Sequence, residues 1–139
     1  GRAGRDIIIA ADTLVVLDDR ILEKPRDAAH ARAMLRTLSG RRHDVITGLC
    51  VLATRTEAEP EERAIAVRTE VEFRTLNARN IDGYIATGEP MDKAGAYAVQ
   101  GAAGFMVRSL HGSHSNVIGL PLSELVDILE GEFGCRPFA

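Results

Sequence analysis

In the stretch Ile7-Ile8-Ile9-Ala10-Ala11-Asp12-Thr13-Leu14-Val15-Val16, one carboxylate interrupts a run of apolar, largely β-branched residues. An ionised carboxylate buried without partners is costly, so Asp12 must be paired, hydrated or bound to a cation. The run reads as two strands, Ile7 to Ala11 and Thr13 to Leu17, with Asp12 at the corner between them. Ligands of α/β proteins gather at strand ends, which makes Asp12 a candidate for holding a metal or activating water. On this stretch alone, an Asx turn that caps the corner is the stronger account. In Glu23-Lys24-Pro25 a cation precedes a helix start, where outward-facing amides suit phosphate; a lysine taken singly is usually just exposed. From Thr87 to Gly104 the chain reads TGEPMDKAGAYAVQGAAG. Small residues permit close backbone approach, while Glu89, Asp92, Lys93 and Gln100 add convergent polar groups and Met91, Tyr97 and Val99 supply anchors. That describes a ligand-holding loop better than a free surface crossover.

Other signals are weaker. His111-Gly112-Ser113-His114 lacks further metal ligands and reads as a turn. Ser39, Ser113 and Ser115 show no nucleophile-elbow pattern, there is no Walker A sequence, and Gly101 to Gly104 makes no dinucleotide fingerprint. The run Arg41-Arg42-His43 reads as a solvated helix exit.

The elements that must position these groups follow from periodicity. Thr13 to Leu17 turns at Asp18-Asp19 into Ile21-Leu22, a small hairpin. Pro25 and Asp27 start a helix whose apolar face is Ala31, Met34, Leu35 and Leu38, closed by Ser39-Gly40. Asp44 to Thr54 is a long strand, apolar on both faces and hence central. Arg55 to Glu62 is a solvated loop, and Ala64 to Phe73 alternates, with Ile65, Val67, Thr69, Val71 and Phe73 on one face. Asn77 caps a short helix through Ile81, Tyr84 and Ile85, ended by Gly88. Phe105 to Leu110 is a further strand, and Leu122, Leu125, Val126 and Leu129 mark a last helix with Pro121 in its first turn. Hairpins interleaved with helices predict an α/β fold with a mixed sheet flanked by helices.

The 139 residues and 45% hydrophobic content suit one domain with one core. A net charge of −3 gives no global positive field to recruit nucleic acid or an anionic membrane. No apolar run approaches the roughly 20 residues that span a bilayer. Cys50 and Cys135 lie far apart, which argues against a disulfide framework or a thiolate zinc site and fits a reducing cytoplasm.

Taken together, AADTLVV, ILEKP, MLRTLSGRRHDVITG, YIATGEPMDKAGAYAVQG and NVIGLPL strongly resemble the Maf family of nucleoside triphosphate pyrophosphatases, from about Ile7 to the final helix. The resemblance implies a mixed α/β fold related to the inosine-triphosphatase-like enzymes, and hydrolysis between the α and β phosphates with a divalent cation, Mg2+ or Mn2+. Asp12 matches the family's proposed proton acceptor, and Lys24 a lysine of its phosphate-binding region; the expectation is that Asp12 helps hold the cation or orients water beside the α-phosphorus. Thr13 and Gln100 match positions tied to base selectivity, and Glu89, Asp92 and Lys93 fall inside a signature block. The Asp-Thr pair with AYAVQG looks like the branch acting on dTTP and UTP; a glutamine amide can both donate to and accept from a pyrimidine edge. Alternatives are a 7-methyl-GTP pyrophosphatase and a catalytically silent nucleotide-binding or cell-division regulatory module. Family members ordinarily begin with a strand and a Ser-Pro-Arg-Arg loop that do not precede Ile7 here, so the expectation is a partial domain with weak activity and an exposed sheet edge. Homodimerisation is expected by analogy with the family.

Overall fold

The computed structural model describes residues 5–55 and 57–136. The opening β-branched run continues into one long strand, β1 (Arg5–Leu17). Asp18 and Asp19, at φ 51° and 62°, turn the chain into β2 (Arg20–Leu22); two residues in this left-handed region match the twist of a hairpin. Helix α1 (Ala28–Leu38) begins where the Asp27 carboxylate accepts the His30 amide at 2.8 Å. It buries Ala31, Met34, Leu35 and Leu38, and the chain leaves through Gly40 at φ 67°. Strands β3 (Arg42–Arg55) and β4 (Ala58–Phe73) form a long hairpin. Helix α2 (Ala78–Ala86) opens with a reciprocal cap between Asn77 and Asn80. Tight 3-10 turns over Glu89–Asp92, Ala94–Ala96 and Gly101–Met106 lead to β5 (Val107–His111), then α3 (His114–Ile118) and α4 (Leu122–Gly131).

Among the described residues the five strands make one sheet, in the order β2-β1-β3-β4-β5, and every ladder is antiparallel. The like-directed strands β2 and β3 are joined through α1, but β1 lies between them, so this crossover produces no parallel ladder. The helices cover one face of the sheet. Val15, Leu17, Val45, Val71 and Phe73 pack with α1 and α2, while Leu49, Val51 and Ala53 pack with Leu125, Ile128 and Phe133 around α4. Among the described residues no helix covers the other face, which leaves Ile8 51% and Leu14 37% exposed. No described helix is long and apolar enough to cross a membrane.

Three expectations change. The strand does not break at Asp12: β1 pairs with β3 without a slip from Arg5↔Arg55 to Val16↔Asp44. Asp12 therefore stands mid-ladder opposite Gly48 and is exposed, and Ile7 to Ala11 is only partly covered. A long non-local ladder outweighs a local preference for a turn. His43 is not part of a solvated exit; Arg41 and Arg42 are exposed, but His43 is 3% exposed on the face shared by Val45 and Leu49. The expected loop over 55–62 is largely strand, since β4 starts at Ala58, while Thr56 lies outside the described residues. Pro60 is tolerated because β5 reaches β4 only from Glu70 onward, so that edge of β4 has no partner strand there among the described residues.

Candidate active site

Thr13 belongs to the helix-facing side of β1, and its hydroxyl lies 2.9 Å from that of Thr47, its partner on β3. Lys24 follows β2 just before the buried Pro25. The loop from Thr87 to Gly104 is held against these elements by local contacts. The Gly95 amide donates to the Glu23 carbonyl at 3.1 Å, and Gly95 sits at φ 70° with Val15 directly above. A Cβ there would lie 2.9 Å from Val15 Cγ1, so only glycine lets the loop come this close. Lys93 and Ala96 amides close the turn onto the Pro90 and Lys93 carbonyls.

The result is a cavity of about 230 Å3 whose lining includes Thr13, Lys24, Asp92, Lys93, Tyr97 and Gly119. Lys93 Nζ is 3.2 Å from the Asp92 carboxylate. The hydrogen bond and charge of Lys93, with Lys24 further off, hold the Asp92 carboxyl below its ordinary range. Two ammonium groups against one carboxylate leave this end of the cavity cationic, while Val45, Val99 and Val117 form its apolar wall. An anion joined to a flat, partly apolar body fits such a space. A larger groove of about 650 Å3 lies between the β1–β2 hairpin and α1, but Asp18 and Glu23 oppose Arg20 and Arg26 there and it has none of the small-residue loop. The smaller cavity is the better site because charge, apolar wall and close backbone approach coincide in it.

Four of the sequence-derived candidates thus converge: Thr13, Lys24, Asp92 and Lys93. Three do not. Glu89 ties down the loop, accepting the Ala102 amide at 3.2 Å with Gly101 packed against its carboxylate. Gln100 is exposed and follows Val99 just outside the lining. Asp12 lines a separate, shallow apolar depression of about 340 Å3 with Ala10, Gly48, Cys50 and Ala64. Strand alternation sends its carboxylate to the face opposite Thr13. Yet β2 pairs with β1 only from Val15 to Leu17, so beside Asp12 and Thr13 the edge of β1 away from β3 has no described partner strand.

His43 escaped the sequence reading. Its Nε2 is 2.6 Å from the Tyr97 hydroxyl, and the two rings stand edge-on to Phe73. Burial lowers the imidazole from its ordinary 6.5 to about 4, against a smaller opposing pull from Asp44. Burial pushes the Tyr97 phenol upward. His43 and Tyr97 therefore form a neutral pillar behind the cavity; the period-two series His43, Val45, Thr47, Leu49 was the signal that could have revealed it. Among the described residues no three His, Cys, Asp or Glu side chains converge as a metal site. Asp12 stands apart and Asp92 is committed to Lys93, so the chain's described groups do not by themselves form a cation cage.

A family model described as Maf-like protein matches residues 2–132. The chain is 52% identical over 124 residues to a dTTP/UTP pyrophosphatase of Anaeromyxobacter dehalogenans, covering 89% of this chain and 63% of that protein. It is 50% identical over 126 residues to a dTTP/UTP pyrophosphatase of Salmonella typhimurium, covering 90% and 61%. It is 53% identical over 131 residues to one from Syntrophotalea carbinolica, covering 94% and 58%. The chain spans about three fifths of the length of the curated relatives it matches.

Proposed function

Because the chain belongs to the Maf-like protein family, we propose that its cationic cavity receives dTTP or UTP and that the protein hydrolyses the α–β anhydride, releasing the nucleoside monophosphate and pyrophosphate. The observation that carries this reading is the meeting of Lys24 and Lys93 with Thr13 in one cavity. The ammonium groups offset charge on the triphosphate and stabilise the pyrophosphate as it departs. The Tyr97 and Val99 side of the cavity takes the base, with Thr13 at its polar edge and Gln100 just beyond. Asp12, across the free edge of β1, accepts the proton of the water that attacks the α-phosphorus. Since the described carboxylates form no cage, Mg2+ or Mn2+ belongs in this proposal to the substrate, carried on its phosphates, and no step is assigned to a protein-held metal. The proposed setting is the cytoplasm, where such nucleotides are free. A homodimer is proposed as the assembly, as the family resemblance implies.

The test is pyrophosphate release from dTTP, UTP, CTP and 7-methyl-GTP with magnesium. Release from the first two, lost in Lys24→Ala and Lys93→Ala, supports the reading. Tight binding with product from none of the four would instead support a silent nucleotide-binding module, and preferential release from 7-methyl-GTP would move the protein to the other branch.

A further inference from the structure

Thr47 is completely buried and lies directly opposite Thr13 on the neighbouring strand. Its hydroxyl oxygen is 3.3 Å from the Asn116 carbonyl oxygen and 2.9 Å from the Thr13 hydroxyl oxygen. A carbonyl only accepts, so the hydrogen in the first contact is the one Thr47 owns. The second contact must then take its hydrogen from Thr13. The opposite arrangement would leave the Thr47 and Asn116 oxygens facing each other without a hydrogen where no solvent reaches, and would leave the Thr47 oxygen without a donor.

The carbonyl at the end of this chain cannot turn away. Asn116 is fully buried, and its side-chain amide nitrogen shares two hydrogens among the Val45 carbonyl at 3.2 Å, the Val67 carbonyl at 2.9 Å and the Thr69 hydroxyl at 2.9 Å. Its backbone amide donates to Ser113 Oγ at 3.1 Å, and the Gly119 amide donates to its carbonyl at 3.0 Å. The direction of the relay is thus imposed from β3, β4 and α3.

We infer that Thr47 sets the polarity of the Thr13 hydroxyl, so that Thr13 meets a bound base only as a hydrogen-bond acceptor and selects pyrimidines bearing N3–H, uracil and thymine, over cytosine. This rests on the nucleotide reading above and deepens it. An unrestrained threonine hydroxyl offers either its hydrogen or a lone pair and would serve the N3–H of uracil and the bare N3 of cytosine alike. A hydroxyl whose hydrogen is already committed presents lone pairs to both. The imide is satisfied, whereas cytosine N3 is left lone pair against lone pair and unpaired. Thr47 acts through Thr13 and is a positioning residue.

The experiment compares wild type, Thr47→Val and Thr47→Ser. The readouts are kcat/KM for UTP against CTP and, independent of turnover, the Kd of UMP against CMP by calorimetry. Wild type is expected to prefer uracil. Thr47→Val keeps the shape but frees the Thr13 hydrogen, and its uracil-to-cytosine ratio should fall about tenfold, the equivalent of one hydrogen bond, chiefly through improved cytosine binding. Thr47→Ser retains a hydroxyl and should hold the wild-type ratio within about twofold. A wild type that binds UMP and CMP equally overturns the inference without any variant, which covers the case of a Thr47→Val protein that fails to fold. An unchanged ratio in folded Thr47→Val overturns it as well, while leaving the pyrimidine reading intact. A wild type that binds no pyrimidine nucleotide removes the functional reading and the inference together.

Discussion

Acidification should destabilise this protein through His43. The neutral imidazole is buried against Phe73 and Tyr97, and its Nδ1 has no hydrogen-bond partner among the described residues. Protonation would place a charged N–H in an apolar, unsatisfied setting, so the folded chain holds the group at about 4 against an ordinary 6.5. Between these values the unfolded chain binds the proton more readily, so stability rises with pH. The contribution is fully present above about pH 6.5 and is lost as the pH falls toward about 4. At about pH 5 the unfolded histidine is almost wholly protonated and the folded one about a tenth so, which removes roughly 2 kcal/mol, out of roughly 3 kcal/mol over the whole range. The chain has no tryptophan, so urea unfolding is followed by circular dichroism, at about pH 8 and about pH 5, for wild type and His43→Gln. His43→Gln is expected to be less stable at high pH, having lost the ring contacts, but to lose roughly 2 kcal/mol less on acidification. Parallel losses in the two proteins, or an NMR titration placing His43 at its ordinary value, would refute the reasoning.

Three further outcomes are expected. Gly95→Ala places a methyl 2.9 Å from Val15 Cγ1 at a φ of 70° and should cost roughly 2 kcal/mol of stability in urea unfolding, with weakened nucleotide binding; a midpoint unchanged from wild type contradicts the described packing of the loop on β1. Asn116→Ala removes the two hydrogens shared by the Val45 and Val67 carbonyls and the Thr69 hydroxyl and should destabilise by roughly 3 kcal/mol, read by the same assay; a change below about 0.5 kcal/mol would mean the network is not formed. Asp12→Asn, exposed and opposite a glycine, should leave the unfolding midpoint within about 0.5 kcal/mol of wild type while removing most pyrophosphate release; equal turnover by the folded variant ends its assigned role.

Much of the scaffold was legible because its signals are local. The face of α1 and the Asp27 cap, the Asp18-Asp19 turn and the alternation over Ile65 to Phe73 each depend on residues within a few positions of one another. What escaped depends on distant partners. The unbroken β1 is imposed by pairing with β3, so a local turn signal at Asp12 misled. His43 hid inside a basic run because its covering partner, Tyr97, is 54 positions away. Helix α3 is too short to show a period, and it exists because Ser113 caps Asn116 and Asn116 bonds to two strands. Of the candidate site residues, Thr13, Lys24, Asp92 and Lys93 line one cavity. Type alone could not separate Glu89, whose carboxylate is consumed by the Ala102 amide, from groups left free to meet a ligand.

The account stands on one cavity gripping a pyrimidine nucleotide, and amide chemical-shift mapping with a non-hydrolysable UTP analogue and magnesium tests this most directly. Shifts concentrated on Thr13, Lys24, the stretch from Asp92 to Val99, and Gly119 are the predicted result. Shifts confined to the groove between the β1–β2 hairpin and α1, or no saturable shifts at millimolar nucleotide, would contradict it.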